Sequence, residues 1–79
     1  MTQLGNVGIG KLFVYNNGLF VVTPFDWNAE KYFNLCIATR NRDDYEVGDY
    51  YEFDERIEVH EISTAVLKGL LIPKDLKEF

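Results

Sequence analysis

His60, Ser63, Cys36 and a dense set of carboxylates are the side chains of this 79-residue chain whose types could do covalent or acid–base chemistry. Nucleophilic catalysis needs a base within hydrogen-bond reach of the nucleophile and a third group that orients the base. The spacing does not supply such a set. His60 and Ser63 fall on either side of an expected strand-to-helix junction, where a serine serves as a helix cap and a histidine as a surface residue. Cys36 stands between Leu35 and Ile37 in an apolar run, the usual setting of an inert buried thiol. As the only cysteine, it also excludes an intrachain disulfide and a cysteine-based zinc site of the usual kind. The sequence therefore reads as non-enzymatic.

The carboxylates are concentrated: nine of the nineteen residues from Asp43 to Glu61 are acidic. Asp49, Glu52, Asp54, Glu55 and Glu58 have the oxygen chemistry that Ca²⁺ takes, but they alternate with Tyr51, Phe53 and Ile57 rather than filling one loop with a central glycine and a terminal glutamate. No metal and no cofactor is expected. Gly5, Gly8 and Gly10 lack the order of a dinucleotide fingerprint, which sits between a strand and a helix, and read as a permissive entry to the first strand.

Split by segment, the formal charge is +2 over residues 1–42, −8 over 43–61 and +1 over the remainder, for a net −5. Nonspecific nucleic-acid affinity comes from lysine and arginine neutralising phosphates, so direct nucleic-acid binding is not expected, nor is an anionic membrane. A partner protein with a basic surface is the complementary expectation, since opposite charge accelerates encounter and selects partners. Tyrosine is enriched at the energetic centres of interfaces. The expected partner-binding set is therefore Tyr45, Asp49, Tyr50, Glu52, Asp54, Glu55 and Glu58. A compact accessory or inhibitor protein of the phage type would suit this character, its extreme form a phosphate mimic on a rigid scaffold. The plainer alternative is a solvated acidic surface that keeps a small protein soluble. A second binding mode would use Arg40 and Arg42 for an anionic ligand or nucleotide, with Trp27 or Tyr32 stacking on it; adjacent Asp43 and Asp44 compete for those guanidinium groups.

Short strands must position these residues. Ile9–Tyr15 and Leu19–Thr23 flank Asn16-Asn17-Gly18, residue types that accept positive φ, and so read as a hairpin. Pro24 cannot donate to a ladder, which ends the second strand before a loop holding Phe25 and Trp27. Tyr32–Thr39 reads as a third strand with Phe33, Leu35 and Ile37 on one face and Cys36 and Ala38 on the other. After a polar turn, Tyr51 and Phe53 alternate with Glu52 and Asp54, and Ile57 and Val59 alternate with Glu58 and His60. Together they predict an acidic hairpin from Tyr50 to His60 with one charged side. Ser63 caps an expected helix from Thr64, with Val66, Leu67, Leu70 and Leu71 on its apolar stripe. Pro73 could begin a last turn that docks Leu76 and Phe79.

About five strands and a short C-terminal helix predict a mainly β fold over residues 1–79 as one domain: a small barrel, or else a strongly curled antiparallel sheet. The order hairpin, loop, strand, polar turn, acidic hairpin resembles an SH3-like barrel in architecture, without a family motif. Twelve aromatics supply the dense core that so short a chain needs, and a homodimer would add burial. The N-terminus lacks the basic and apolar regions of a signal peptide and no apolar run approaches a membrane span, which predicts a cytoplasmic protein.

Overall fold

The structure, a computed structural model, describes residues 1–62. The expected helix from Thr64 and the docking turn at Pro73 lie outside the described residues. Among the described residues six strands form one antiparallel sheet: β1 (Thr2–Gln3), β2 (Leu12–Tyr15), β3 (Gly18–Val22), β4 (Asn34–Thr39), β5 (Tyr50–Tyr51) and β6 (Glu58–Ile62). Their order is β1-β6-β2-β3-β4-β5. Among the described residues β1 and β5 are the two edges and the sheet is not closed, which corrects the expected barrel and leaves the other expected form, an antiparallel sheet. Both edge strands are two residues long, which limits the unpaired backbone available for sheet-to-sheet aggregation.

The β2–β3 hairpin forms where the sequence places it. Asn16 and Asn17 take φ of 48° and 65°, a two-residue turn with both residues left-handed, and Tyr15 pairs with Gly18 across it. This turn matches the right-handed twist of the strands it joins. Gly18 is required for a different reason. A Cβ there would lie 2.6 Å from the Phe20 ring, so the missing side chain is what lets that ring seat against the turn.

β4 departs from simple alternation. Its register against β3 shifts between Leu19 and Phe20, so that Leu19 faces Ala38, Phe20 faces Cys36, and Ile37 is the extra residue of a β-bulge. The expectation that Cys36 and Ala38 share a face is therefore corrected: Cys36 packs in the main core, whereas Ala38 packs on the opposite side with Leu12 and Leu19. Cys36 also bonds outward. Its N–H donates to the Asp49 carbonyl at 3.0 Å and its carbonyl accepts from Gly48 N–H at 2.8 Å, which ties the 40–49 loop to the sheet.

The acidic hairpin is the largest correction. β5 and β6 do not pair; β5 lies beside β4 at one edge, while β6 lies between β1 and β2 at the other end. The chain between them must cross the sheet, and it does so over the main core. Phe53 drives this crossing, because its ring meets those of Phe13, Tyr15, Phe20, Tyr45 and Tyr51 at centroid distances of 5.1–6.4 Å. At the far end Gly5 N–H donates to the Glu55 carbonyl and Leu4 N–H to the Ile57 carbonyl, each at 2.9 Å. A sixth strand, β1, arises from the same contacts: Thr2 and Gln3 pair with Val59 and Glu58. This strand precedes the early glycines, contrary to expectation, but the element after it is a three-residue 3-10 turn, Leu4–Asn6.

Apolar residues occupy both sides of the sheet. The main cluster holds Leu4, Val7, Phe13, Phe20, Cys36 and Val59, and the second holds Leu12, Leu19 and Ile62 with Val14, Val21 and Ala38 against them. Uninterrupted apolar runs such as Leu12-Phe13-Val14 follow from this, since neighbouring strand residues point to opposite faces.

Candidate functional site: an acid-rimmed cleft

The chain crossing from Glu52 to Glu55 forms one wall of a cleft of about 530 Å³. The opposing wall is the Leu4–Gly5 turn continued through Val7, Gly8 and Ile9, and Phe25, Lys31 and Tyr32 come from the loop between β3 and β4. The two long walls are held together by backbone: the Gly5–Glu55 bond lies between them, and a Cβ added to Gly5 would stand 3.3 Å from that of Glu55. Apolar side chains, among them Val22, Phe25 and Phe53, line the cleft, and Glu30, Glu52, Asp54 and Glu55 are exposed around it.

The 26–31 loop is rigidly built. Asp26 and Lys31 pair through two backbone hydrogen bonds, of 2.9 and 3.3 Å, and the Asp26 carboxylate accepts from the N–H groups of Asn28 and Ala29. Such local carboxylate capping is what aspartate does at turns. Glu30 closes the loop in the left-handed region at φ 57°. The loop holds Trp27 outward, 82% exposed, with its ring 4.7 Å from Phe25, which in turn lies 5.0 Å from Tyr32.

Charges at the rim are partly compensated. Lys31 Nζ reaches Glu52 Oε1 at 3.2 Å, and Arg56 donates to both oxygens of Asp54 at 2.8 and 3.1 Å. The Arg56 hydrogen bonds hold the Asp54 carboxyl down at about 2, and Asp54 in turn raises the guanidinium. Both pairs are solvent-exposed, so they order the rim more than they stabilise the fold.

Of the seven residues expected to meet a partner, the structure brings together Glu52, Asp54 and Glu55 at the cleft. Asp49 and Tyr50 are exposed at and beside the β5 edge. Glu58 pairs with Gln3 on β6, two positions from His60 and on the side of the sheet opposite Val59, away from the other carboxylates. Tyr45 is only 8% exposed and belongs to the core. Its ring packs edge-on against Phe20 and Tyr51, its hydroxyl accepts from Asn16 Nδ2 at 3.1 Å, and burial pushes its phenol up. A single sequence cannot tell such a tyrosine from an exposed one, because the 40–49 loop folds inward only through tertiary contacts.

The second ligand set is not gathered. Trp27 and Tyr32 precede β4, Arg40 and Arg42 follow it, and six strand residues span about 20 Å. Arg42 stands instead with Asp43, Asp44 and Glu46 around a shallow depression over Tyr45 and Tyr51. Cys36 is fully buried, its thiol raised by that burial and donating to the Ala38 carbonyl at 3.5 Å. His60 is exposed on β6 opposite Val14, and Ser63 lies outside the described residues. Among the described residues no three His, Cys, Asp or Glu side chains are placed to hold a metal ion, and no helix is long and apolar enough to cross a membrane.

Sequence reasoning missed Ile9, Phe25 and Glu30 as cleft residues. The available signal was Asp26 with Asn28 two residues on, a turn signature that fixes the loop carrying Phe25, Trp27 and Glu30. Compared with known proteins, the chain matches no family model, no curated protein and no solved structure.

Proposed function

We propose that this protein is a non-enzymatic binding module of the cytoplasm that presents an acidic surface to a partner protein with a basic surface, acting as a small accessory or inhibitor protein. The observation that carries this reading is the placement of Glu52, Asp54 and Glu55 on one chain segment, exposed and beside a cleft with apolar side chains in its lining, with Glu30 on the loop that completes it. Carboxylates next to apolar surface combine long-range attraction with an area worth desolvating, whereas a purely solvated face needs only the charge. Tyr50 and Trp27 add exposed aromatic surface of the kind that anchors interfaces. The burial of Cys36 and the exposure of His60 on a sheet face support a non-enzymatic role.

Affinity capture from lysate, comparing the native protein with a Glu52→Lys/Glu55→Lys variant, tests the reading. Both substitutions are at exposed positions, so circular dichroism should show the fold unchanged. The expected outcome is retention of proteins with basic surfaces by the native chain, lost in the variant and weakened by salt. Equal capture by the two chains would exclude the acidic surface as the binding element.

A further inference from the structure

The cleft has a shape and a chemistry that narrow the partner further, and the narrowing rests on the acidic-surface reading. Leu4, Val7 and Val22 form its nearly buried floor and Ile9, Phe25 and Phe53 its more accessible apolar groups, whereas its rim offers Glu30, Glu52, Asp54 and Glu55 against Lys31 and the neighbouring Arg56. The rim therefore keeps a net negative charge, and among the described residues Glu52 is held by an exposed lysine that an incoming cation can displace. Gly5, Gly8, Ile9 and Tyr32 of its lining are exposed as well, so the cleft is open to solvent. A site for a small ligand commonly encloses most of the ligand's surface. A cleft open to solvent and edged by carboxylates instead suits an apolar side chain presented by a chain segment whose basic neighbours reach the rim.

We infer that the cleft binds an extended lysine- or arginine-rich segment of a partner protein that carries one large apolar side chain, the apolar group filling the space between Ile9, Phe25 and Phe53 while its basic neighbours meet Glu30 and Glu55. Trp27 is not part of the lining but packs edge-on against Phe25, which is, and its indole is exposed, so a flanking cation can lie on the ring face. The backbone bonds of Gly5 to Glu55 and of Leu4 to Ile57, and those closing the 26–31 loop, fix the segments that line the cleft before a partner arrives, which reduces the ordering cost of binding.

Titration with three synthetic probes tests this: Lys-Lys-Leu-Lys-Lys, Lys-Lys-Ser-Lys-Lys and tetraethylammonium, followed by backbone amide shifts and by the fluorescence of the single tryptophan. The leucine peptide should bind about tenfold or more tighter than the serine peptide, as the burial of one leucine side chain predicts. Its shifts should centre on Gly5, Gly8 and Glu55. Ile9→Ser should erase the preference for leucine, and Glu30→Lys/Glu55→Lys should weaken both peptides at least tenfold. Glu61→Lys, exposed on β6 and off the cleft, should change neither.

Equal binding of the two peptides, with shifts outside the cleft, would overturn the apolar-anchor inference while leaving an acidic binding surface in place. Tetraethylammonium binding as tightly as the leucine peptide would overturn it in favour of a small cationic ligand. Absence of binding by either peptide at millimolar concentration would overturn it also, and the lysate capture would then decide the broader reading by itself.

Discussion

Asp54 shows how one local contact sets a side chain's chemistry in this molecule. Arg56, two residues on, donates from its backbone and its guanidinium to the same carboxylate, so the ionised form is favoured by hydrogen bonds that the protonated form would lose. The expected titration midpoint is about 2 in the folded protein, against 3.8 for an ordinary aspartate. A depressed carboxylate contributes stability that is present above the ordinary value and is lost as pH falls through the folded value, here between about 4 and about 2. A carboxyl ¹³C titration should show this midpoint, and Arg56→Gln should return it toward 3.8. An unshifted midpoint in the native protein would show that the pair does not persist in solution.

At the scale of an element, the β2–β3 hairpin depends on two different backbone requirements. Asn17 is held in the left-handed region at φ 65°, and among the described residues its side chain, unlike that of Asn16, makes no hydrogen bond that offsets the cost. Asn17→Gly should raise stability by about 0.5–1 kcal/mol, on the scale of the left-handed penalty it removes. Gly18→Ala should act the other way and cost about 1–3 kcal/mol, because its methyl group would meet the Phe20 ring at 2.6 Å and the Tyr45 ring at 3.1 Å. Urea denaturation of the two variants checks both signs. A neutral Gly18→Ala would mean that Phe20 can leave its position without cost.

For the whole molecule, the decisive contact is the aromatic cluster that carries residues 52–57 across the sheet. Phe53 is half-buried, so Phe53→Ala should cost about 2–3 kcal/mol, somewhat less than the removal of a fully enclosed phenylalanine. The loss should be unevenly felt. Amide exchange at Leu4 and Gly5, whose N–H groups bond to the crossing chain, should accelerate more than exchange at Phe20 in the centre of the sheet. Equal acceleration everywhere would show that the crossing and the sheet unfold as one unit.

Local chemistry made much of this fold legible. Asparagine and glycine between two apolar runs determine the β2–β3 hairpin, Pro24 ends its second strand, and concentrated charge identifies residues 43–61 as the acidic surface. These are properties of neighbours along the chain, which local sterics and charge suffice to decide. Which strands are neighbours was decided only in three dimensions. Alternation around Tyr51, Phe53, Ile57 and Val59 fits a hairpin as well as it fits a crossing, because period-two patterning records which side of a strand is apolar and carries no information about its partner. The pairing of β6 with β1 and β2, the bulge at Ile37 and the inward turn of Tyr45 arise from packing around Phe13, Phe20 and Phe53. That packing took Glu58 away from the other carboxylates and placed Glu30 among them. The sequence by itself determined the amount and sign of the charge; tertiary structure decided where it gathers, because long-range ring contacts outweigh any local preference for a hairpin at Asp54 to Arg56.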